Sequence, residues 1–239
     1  MNIIYLLFHG LSPYSGISKK ILHQVKGFEA CGHRVSLCTY SIADNGHRVR
    51  MINNEIIEDY GTGKPAAAKR RVSYQCIYRY AVTHQVELIY VRSFHNANPF
   101  TIRLFSKLRK AGIKIAMEIP TYPYDSEYAG FPLVTRLGIQ VDKVFRKTLA
   151  KHVNAIVTFS DYHCIFGQRT IQISNGVDFD SIPLKKTVAK NTSVIHLLGV
   201  AEVHYWHGYD RLIEGLGKYF QVPANTTVFF HIAGGIWKS

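Results

Sequence analysis

Acidic residues are scarce in this sequence. Its 239 residues carry 16 Asp and Glu against 29 Lys and Arg, a formal charge of +13. The partners that such a charge favours are anionic: a nucleic acid, an anionic membrane surface or a phosphorylated substrate. Charge alone does not choose among them. Long apolar runs are also missing, none approaching the ~18 residues that a membrane-spanning helix requires. Ile3 to Phe8, the first apolar run, has no basic segment before it and no small-residue cleavage site after it, and reads as a buried strand rather than a signal peptide. Cysteines are few: Cys31, Cys38, Cys76 and Cys164 show no pair at zinc or redox spacing. Reduced thiols in a cytosolic protein fit this best. Repeats and low-complexity tracts are absent, so neither a solenoid nor a long disordered chain is expected.

What is present is a core, since 47% of the residues are hydrophobic. Short β-type runs alternate with helical ones, as in an α/β fold whose parallel sheet is covered on both faces. Strands are expected at Ile3 to Phe8, Arg34 to Tyr40, Met51 to Ile57, Glu87 to Val91, Ile113 to Glu118, Ala155 to Phe159 and Thr170 to Ile173. Apolar residues at helical spacing predict helices from Ser18 to Cys31, with Ile21, Leu22, Val25 and Phe28 inward, and from Asn98 to Ala111, with Phe100, Leu104, Phe105 and Leu108 inward. A further helix, Val134 to His152, is expected to bury Leu137, Val141, Val144, Phe145 and Leu149 and to expose Arg136, Lys143, Arg146, Lys147 and Lys151. Pro65 to His84 predicts one helix in which Lys69, Arg70, Arg71 and Arg79 interleave with Tyr74, Tyr78 and Tyr80, a pattern suited to an anionic lipid surface, to a nucleic-acid backbone or simply to a solvated face.

Three loops carry the candidate chemistry. His9 to Ser18, between a strand and a helix, contains Gly10, Ser12, Ser15 and Gly16. Its glycines allow close backbone approach and its helix amides favour a phosphate, although the loop lacks the spacing of a dinucleotide fingerprint. Glu118 to Tyr128 follows a strand with Pro120 and Pro123 stiffening it, and offers Glu118, Asp125 and Glu127 with Tyr122, Tyr124 and Tyr128. Carboxylates and flat phenols suit hydroxyl-rich molecules, and the carboxyl ends of strands are where open α/β folds bind ligands. Arg92 and His95 follow the neighbouring strand, Arg92 as a phosphate clamp. Past the Lys-bearing linker Pro183 to Asn191, a second strand, Val194 to Leu198, leads through Trp206-His207-Gly208-Tyr209-Asp210-Arg211 into a helical run, so a second unit begins there. Domains are expected at residues 1–180 and 181–239.

Taken in order, Ser15-Gly16-Ile17, the Glu118 to Asp125 segment, Asn175-Gly176-Val177-Asp178 and Gly208-Tyr209-Asp210-Arg211 resemble the family 4 glycosyltransferases over essentially the whole chain. The resemblance implies the GT-B architecture, with a Rossmann-like acceptor-side domain followed by the start of a Rossmann-like donor domain. It implies transfer of a sugar from a nucleotide-sugar donor to a glycan or lipid-linked acceptor, with retention of configuration, without essential metal or cofactor, in bacterial surface polysaccharide synthesis. Glu118 and Asp125 would be catalytic, while Ser15, Gly16, Arg92, His95, Tyr122, Tyr124, Glu127, Asn175 and His207 would contact substrate. His207 stands where the family usually has a diphosphate-binding Lys, and Val200 or Ala201 where it often has an Arg. The paired glutamates that hold the donor would lie beyond Ser239, which implies a truncated chain with no sugar transfer of its own. The competing expectation is a catalytically inactive, membrane-associated or partner-binding module. No nucleic-acid partner is expected, because no recognised binding motif accompanies the charge.

Overall fold

The computed structural model describes residues 1–13, 15–93, 95–125, 133–176, 178–182, 193–201, 203, 207–223 and 225–235. Two compact units emerge, Met1–Asp178 and Phe179–Ser239. The first contains strands β1 (Asn2–Leu6), β2 (Arg34–Ile42), β3 (Arg48–Ile52), β4 (Glu55–Asp59), β5 (Leu88–Arg92), β6 (Lys114–Ile119), β7 (Ala155–Thr158), β8 (Cys164–Ile165) and β9 (Gln168–Gln172). Its helices are α1 (Gly16–Ala30), α2 (Gly63–Val72), α3 (Gln75–Thr83), α4 (Pro99–Lys110) and α5 (Leu133–Ala150). The strands form one sheet in the order β4-β3-β2-β1-β5-β6-β7-β9-β8. Strands β2, β1, β5, β6, β7 and β9 run parallel, while β3, β4 and β8 are antiparallel to their neighbours.

Alternation along β1 shows how the two faces are used. Ile4 and Leu6 enter the larger core with residues of α3, α4 and α5, while Ile3 and Tyr5 enter a smaller core against Ile21, Val25 and Phe28 of α1. Helix α1 starts where the Ser15 hydroxyl accepts from the Ser18 amide. Helix α4 starts at a capping box, the Asn98 side chain accepting from Phe100 and Thr101 and the Thr101 hydroxyl accepting from the Asn98 amide. In the second unit, β10 (Val194–Val200) and β11 (Thr227–Ala233) pair in parallel and α6 (Tyr209–Tyr219) lies between them in sequence.

Four expectations are corrected. Met51 to Ile57 is not one strand but the hairpin of β3 and β4, turned by Asn53 and Asn54 at φ of 49° and 70°. Asn accepts the left-handed conformation that such two-residue turns require. Pro65 to His84 is two helices, because Tyr74 breaks away to pack edge-on against Phe8 at 5.8 Å and donate its hydroxyl to the Arg71 carbonyl. Tyr74 is buried, and Tyr78 and Tyr80 pack in part against the same core. Helix α5 presents a different face inward from the one its apolar spacing suggests: Leu137, Val141 and Val144 are 57%, 46% and 70% exposed, while Ile139, Asp142 and Leu149 are buried. Leu22 and Phe100 also point outward. An unforeseen residue, Arg50, is fully buried in β3 and donates to the Leu7 carbonyl at 2.7 Å, directly beneath the loop that follows β1.

That loop is seated tightly. A methyl group on Gly10 would stand 2.9 Å from the Tyr40 carbonyl oxygen of β2, whereas one on Gly27, in the interior of α1, would meet nothing within 4 Å. Gly10→Ala should therefore cost about 1–3 kcal/mol by forced displacement of backbone. Gly27→Ala should add about 0.5–1 kcal/mol from helix propensity. Urea unfolding with unchanged m-values checks both, and a Gly10→Ala protein as stable as the parent would contradict the packing described.

Candidate functional site

Connections leave β1 and β5 toward opposite ends of the sheet, which makes the carboxyl ends of these two strands the topological switch point. On the α1 face of that crevice, Arg92 of β5 lies opposite Glu118 of β6 in the parallel register. The Glu118 side chain is 0% exposed. Its carboxylate accepts from Gln24 Nε2 at 2.9 Å, from the Tyr90 hydroxyl at 2.7 Å and from the Arg92 guanidinium in a very short contact. The Lys20 ammonium approaches to 3.9 Å. Tyr5 completes the group by donating to Gln24 Oε1 at 2.6 Å. Burial and the Glu118 charge push the Tyr5 and Tyr90 hydroxyls well above the usual phenol range, so both stay protonated donors.

Two cations meet one carboxylate here, leaving a net positive charge at the switch point. Arg92 is almost fully enclosed at 7% exposure, while Lys20 retains 24% and sits 3.5 Å above the Phe159 ring. Burial pulls the Lys20 ammonium below its ordinary range. The loop after β1 stands on the same crevice. There the Ser12 amide donates to the Ser18 hydroxyl at 2.9 Å, and a methyl group on Gly16 would meet nothing within 4 Å. His9 is held below its usual range by burial, its Nδ1 lying 2.7 Å from the Gly10 carbonyl.

The rest of the anticipated constellation lies on the opposite face. After β6 the chain turns back against α5, and Tyr124 is buried with its hydroxyl donating to Asp142 at 3.1 Å. Asp142 also accepts from the Ala97 amide at 2.9 Å, tying the loop after β5 to α5, and burial raises its carboxyl above the ordinary range. The His95 ring lies 4.2 Å from that of Tyr124, and burial lowers it to about 4, so the imidazole is neutral at pH 7. Asp125 takes a two-pronged pair with Arg146, at 2.7 and 3.1 Å, and a third contact from Lys143 at 3.5 Å. These cations hold its carboxyl below the usual range. Tyr122 stands perpendicular to Tyr162 at 4.9 Å and to Phe166 at 5.5 Å, forming an aromatic wall.

Glu118 and Asp125, seven positions apart, are thus separated by the sheet. Glu118 has no surface to offer a substrate, and Asp125 is occupied by two cations. Ser15 and Gly16 join Arg92 on one face, while His95, Tyr122 and Tyr124 gather on the other. Asn175 is exposed, and Asp178 beyond it pairs with Lys26 of α1 at 2.7 Å. His207 belongs to the second unit, where its ring stacks on Tyr209 at 5.7 Å. Glu127 lies outside the described residues. Arg146 and Lys143, expected on a solvated face, are instead the partners of Asp125. Sequence reasoning missed Lys20 and Gln24, whose i, i+4 spacing on α1 was the available signal, and Asp142, the acid among the inward positions of α5. Among the described residues, no three His, Cys, Asp or Glu side chains converge as metal ligands, and no helix is long and apolar enough to cross a membrane.

Comparison with protein-family models gives no match, and comparison with curated proteins gives none either. Among solved structures the chain is similar to the catalytic domain of starch synthase IV from Arabidopsis thaliana, bound to ADP and acarbose. Identity is 11% and the TM-score 0.57, with the match covering 100% of this chain and 74% of that one. At this identity the likeness establishes the fold alone: α/β and Rossmann-like, as in the GT-B fold.

Proposed function

We infer that this chain belongs to a glycosyltransferase of the retaining type, acting in the synthesis of a bacterial surface polysaccharide. Residues 1–180 would form the acceptor side and residues 181–239 would contribute to the donor side. The observation that carries the reading is the positive crevice of Lys20, Arg92 and Glu118 at the switch point, under the first turn of α1. A similar fold holding ADP and an oligosaccharide analogue in starch synthase IV supports it. The partners would be a nucleotide-sugar donor and a glycan or lipid-linked acceptor.

In this reading the crevice receives the phosphate-bearing end of a sugar substrate. Lys20, supported by the amides near Ser15 and Gly16, meets the negative charge that grows on a leaving phosphate. Glu118 acts as a positioning residue: by accepting from Arg92, Tyr90 and Gln24 it fixes the cations that face the phosphate. Asp125 has the corresponding part on the other face, holding Arg146 against Tyr124 and Phe166. Tyr122, Tyr124 and His95 would define where sugar rings stack and where hydroxyls are met. Most of the rate enhancement would come from orientation and charge placement rather than covalent chemistry.

Three replacements test these roles. Lys20→Met should weaken binding of UDP-glucose or ADP-glucose, measured by calorimetry, by roughly tenfold or more, the loss expected for a charge-assisted contact of about 1.5–3 kcal/mol. Gly16→Ala should leave stability within about 0.5 kcal/mol yet weaken the same binding by crowding the phosphate. Full-strength binding by both variants, or no binding of any nucleotide sugar by the parent, would sink the assignment. Glu118→Gln should lower stability by about 3–5 kcal/mol, because it strands the enclosed Arg92 guanidinium. Unchanged thermal unfolding in that variant would return Glu118 to a role outside the network.

A further inference from the structure

Charge is distributed across the first unit with strong asymmetry. Helices α2, α3, α4 and α5 cover one face of the sheet and together contain thirteen Lys or Arg and one carboxylate, Asp142. That carboxylate is buried and spent on Ala97 and Tyr124. The helices therefore show solvent cations with no acid of their own among them. On the other face, α1 mixes Lys19, Lys20 and Lys26 with Glu29.

Within that layer α5 has a second peculiarity. Leu133, Leu137, Val141 and Val144 recur every three or four residues and are all exposed, from 46% to 70%. Ile139, Asp142 and Leu149 face the core, so at 100° per residue the apolar stripe points almost directly away from the sheet. Exposed Arg136 and Lys147 border it. On the adjacent helix, α4, Arg103 and Lys110 are exposed. Between α3 and α4 lies a groove of about 390 Å³ whose lining includes Tyr74, Tyr78, Phe100 and Leu104 with Arg103 and Lys107 at its rim. An outward apolar stripe bordered by cations alone is the composition of a helix that lies in the headgroup region of a lipid bilayer. A protein partner matched to this face would need an apolar strip edged by acids placed against these cations, whereas an anionic bilayer provides apolar depth beneath a continuous sheet of negative charge.

We propose that the outer face of α4 and α5 docks the protein on an anionic bilayer, with the Leu133 to Val144 stripe inserted and Arg136, Lys147, Arg103 and Lys110 at the headgroups. The anchor is thus α5 rather than the basic segment around Lys69, where Arg70 lies over the Tyr40 ring at 4.1 Å and Lys69 faces Glu58 at 4.0 Å. Docking is independent of any catalytic step.

The test is co-sedimentation of the full chain with vesicles of phosphatidylcholine alone or with about one third phosphatidylglycerol. Binding should require the anionic lipid and fall at least about tenfold as NaCl rises from roughly 0.1 to 0.5 M, as the Debye length shortens. Leu137→Glu with Val144→Glu should reduce binding at least tenfold with an unchanged circular dichroism spectrum, because both side chains are exposed. Lys19→Glu, on the other face of the sheet, should change it less than threefold. Equal binding to neutral vesicles, no binding to either, or full binding by the double Glu variant would overturn the proposal. So would a dimer in sedimentation equilibrium that Leu137→Glu dissolves, or tighter binding of a random-sequence RNA than of vesicles at equal salt.

Discussion

A carboxylate taken wholly out of water must be met by donors on all sides, at a desolvation cost of several kcal/mol. Glu118 meets that condition by drawing on three elements at once: Lys20 and Gln24 from α1, Tyr90 and Arg92 from β5, and its own position near the end of β6. Helix α1 is the helix whose residues pack in the smaller core, so this polar cluster, along with Ile21, Val25 and Phe28, decides how the helix sits on the sheet. The first turn of α1, its Ser15 cap and the loop before it take their places from the same docking. The charged crevice and the architecture around it are two aspects of one constraint.

The opposite face is organised by a different carboxylate. Asp142 joins the loop after β5, through Ala97, to the segment after β6, through Tyr124, and so holds two functional loops at a common distance from α5. Arg146, one turn further along the helix, fastens Asp125 and covers Phe166. Each face therefore has one buried acid as an organiser, and the sheet keeps the two systems apart. Residues that look like one cluster in the sequence, Glu118 to Asp125, serve both.

What was legible in the sequence is the part decided by local burial. Strands β1, β5, β6 and β7 are nearly continuous apolar runs, and such runs have few alternatives to a position covered on both faces. The α/β class follows from their alternation with helices. What escaped depends on competition between nearly equal options. Helix α5 has apolar residues on two sides, Leu137, Val141 and Val144 on one and Ile139 and Leu149 on the other, and the side that carries the pairing of Asp142 with Ala97 and Tyr124 is the one turned inward. The same holds for Tyr74, which stands at the start of α3 with its ring against Phe8, a contact between residues far apart in the chain. Asn53 and Asn54 were a local signal for a turn that the apolar residues on either side concealed. The site was legible as loops and residue types, while the partition of those residues between two faces came from register, which spacing along one strand end cannot supply.

The helix layer also carries a consequence for the folded state itself. Thirteen cations spread over four neighbouring helices, with their one acid buried, repel one another across distances comparable to the Debye length of about 10 Å at 0.1 M salt. Folding brings them together, so the unbound domain compacts against its own field and gathers mobile anions to offset it. Added salt relieves that self-repulsion while screening any attraction to a charged surface, so ionic strength acts on the domain in two opposed ways. A polyanionic environment offers what dissolved salt cannot: fixed counter-charges that relieve the repulsion and locate the protein at the same time.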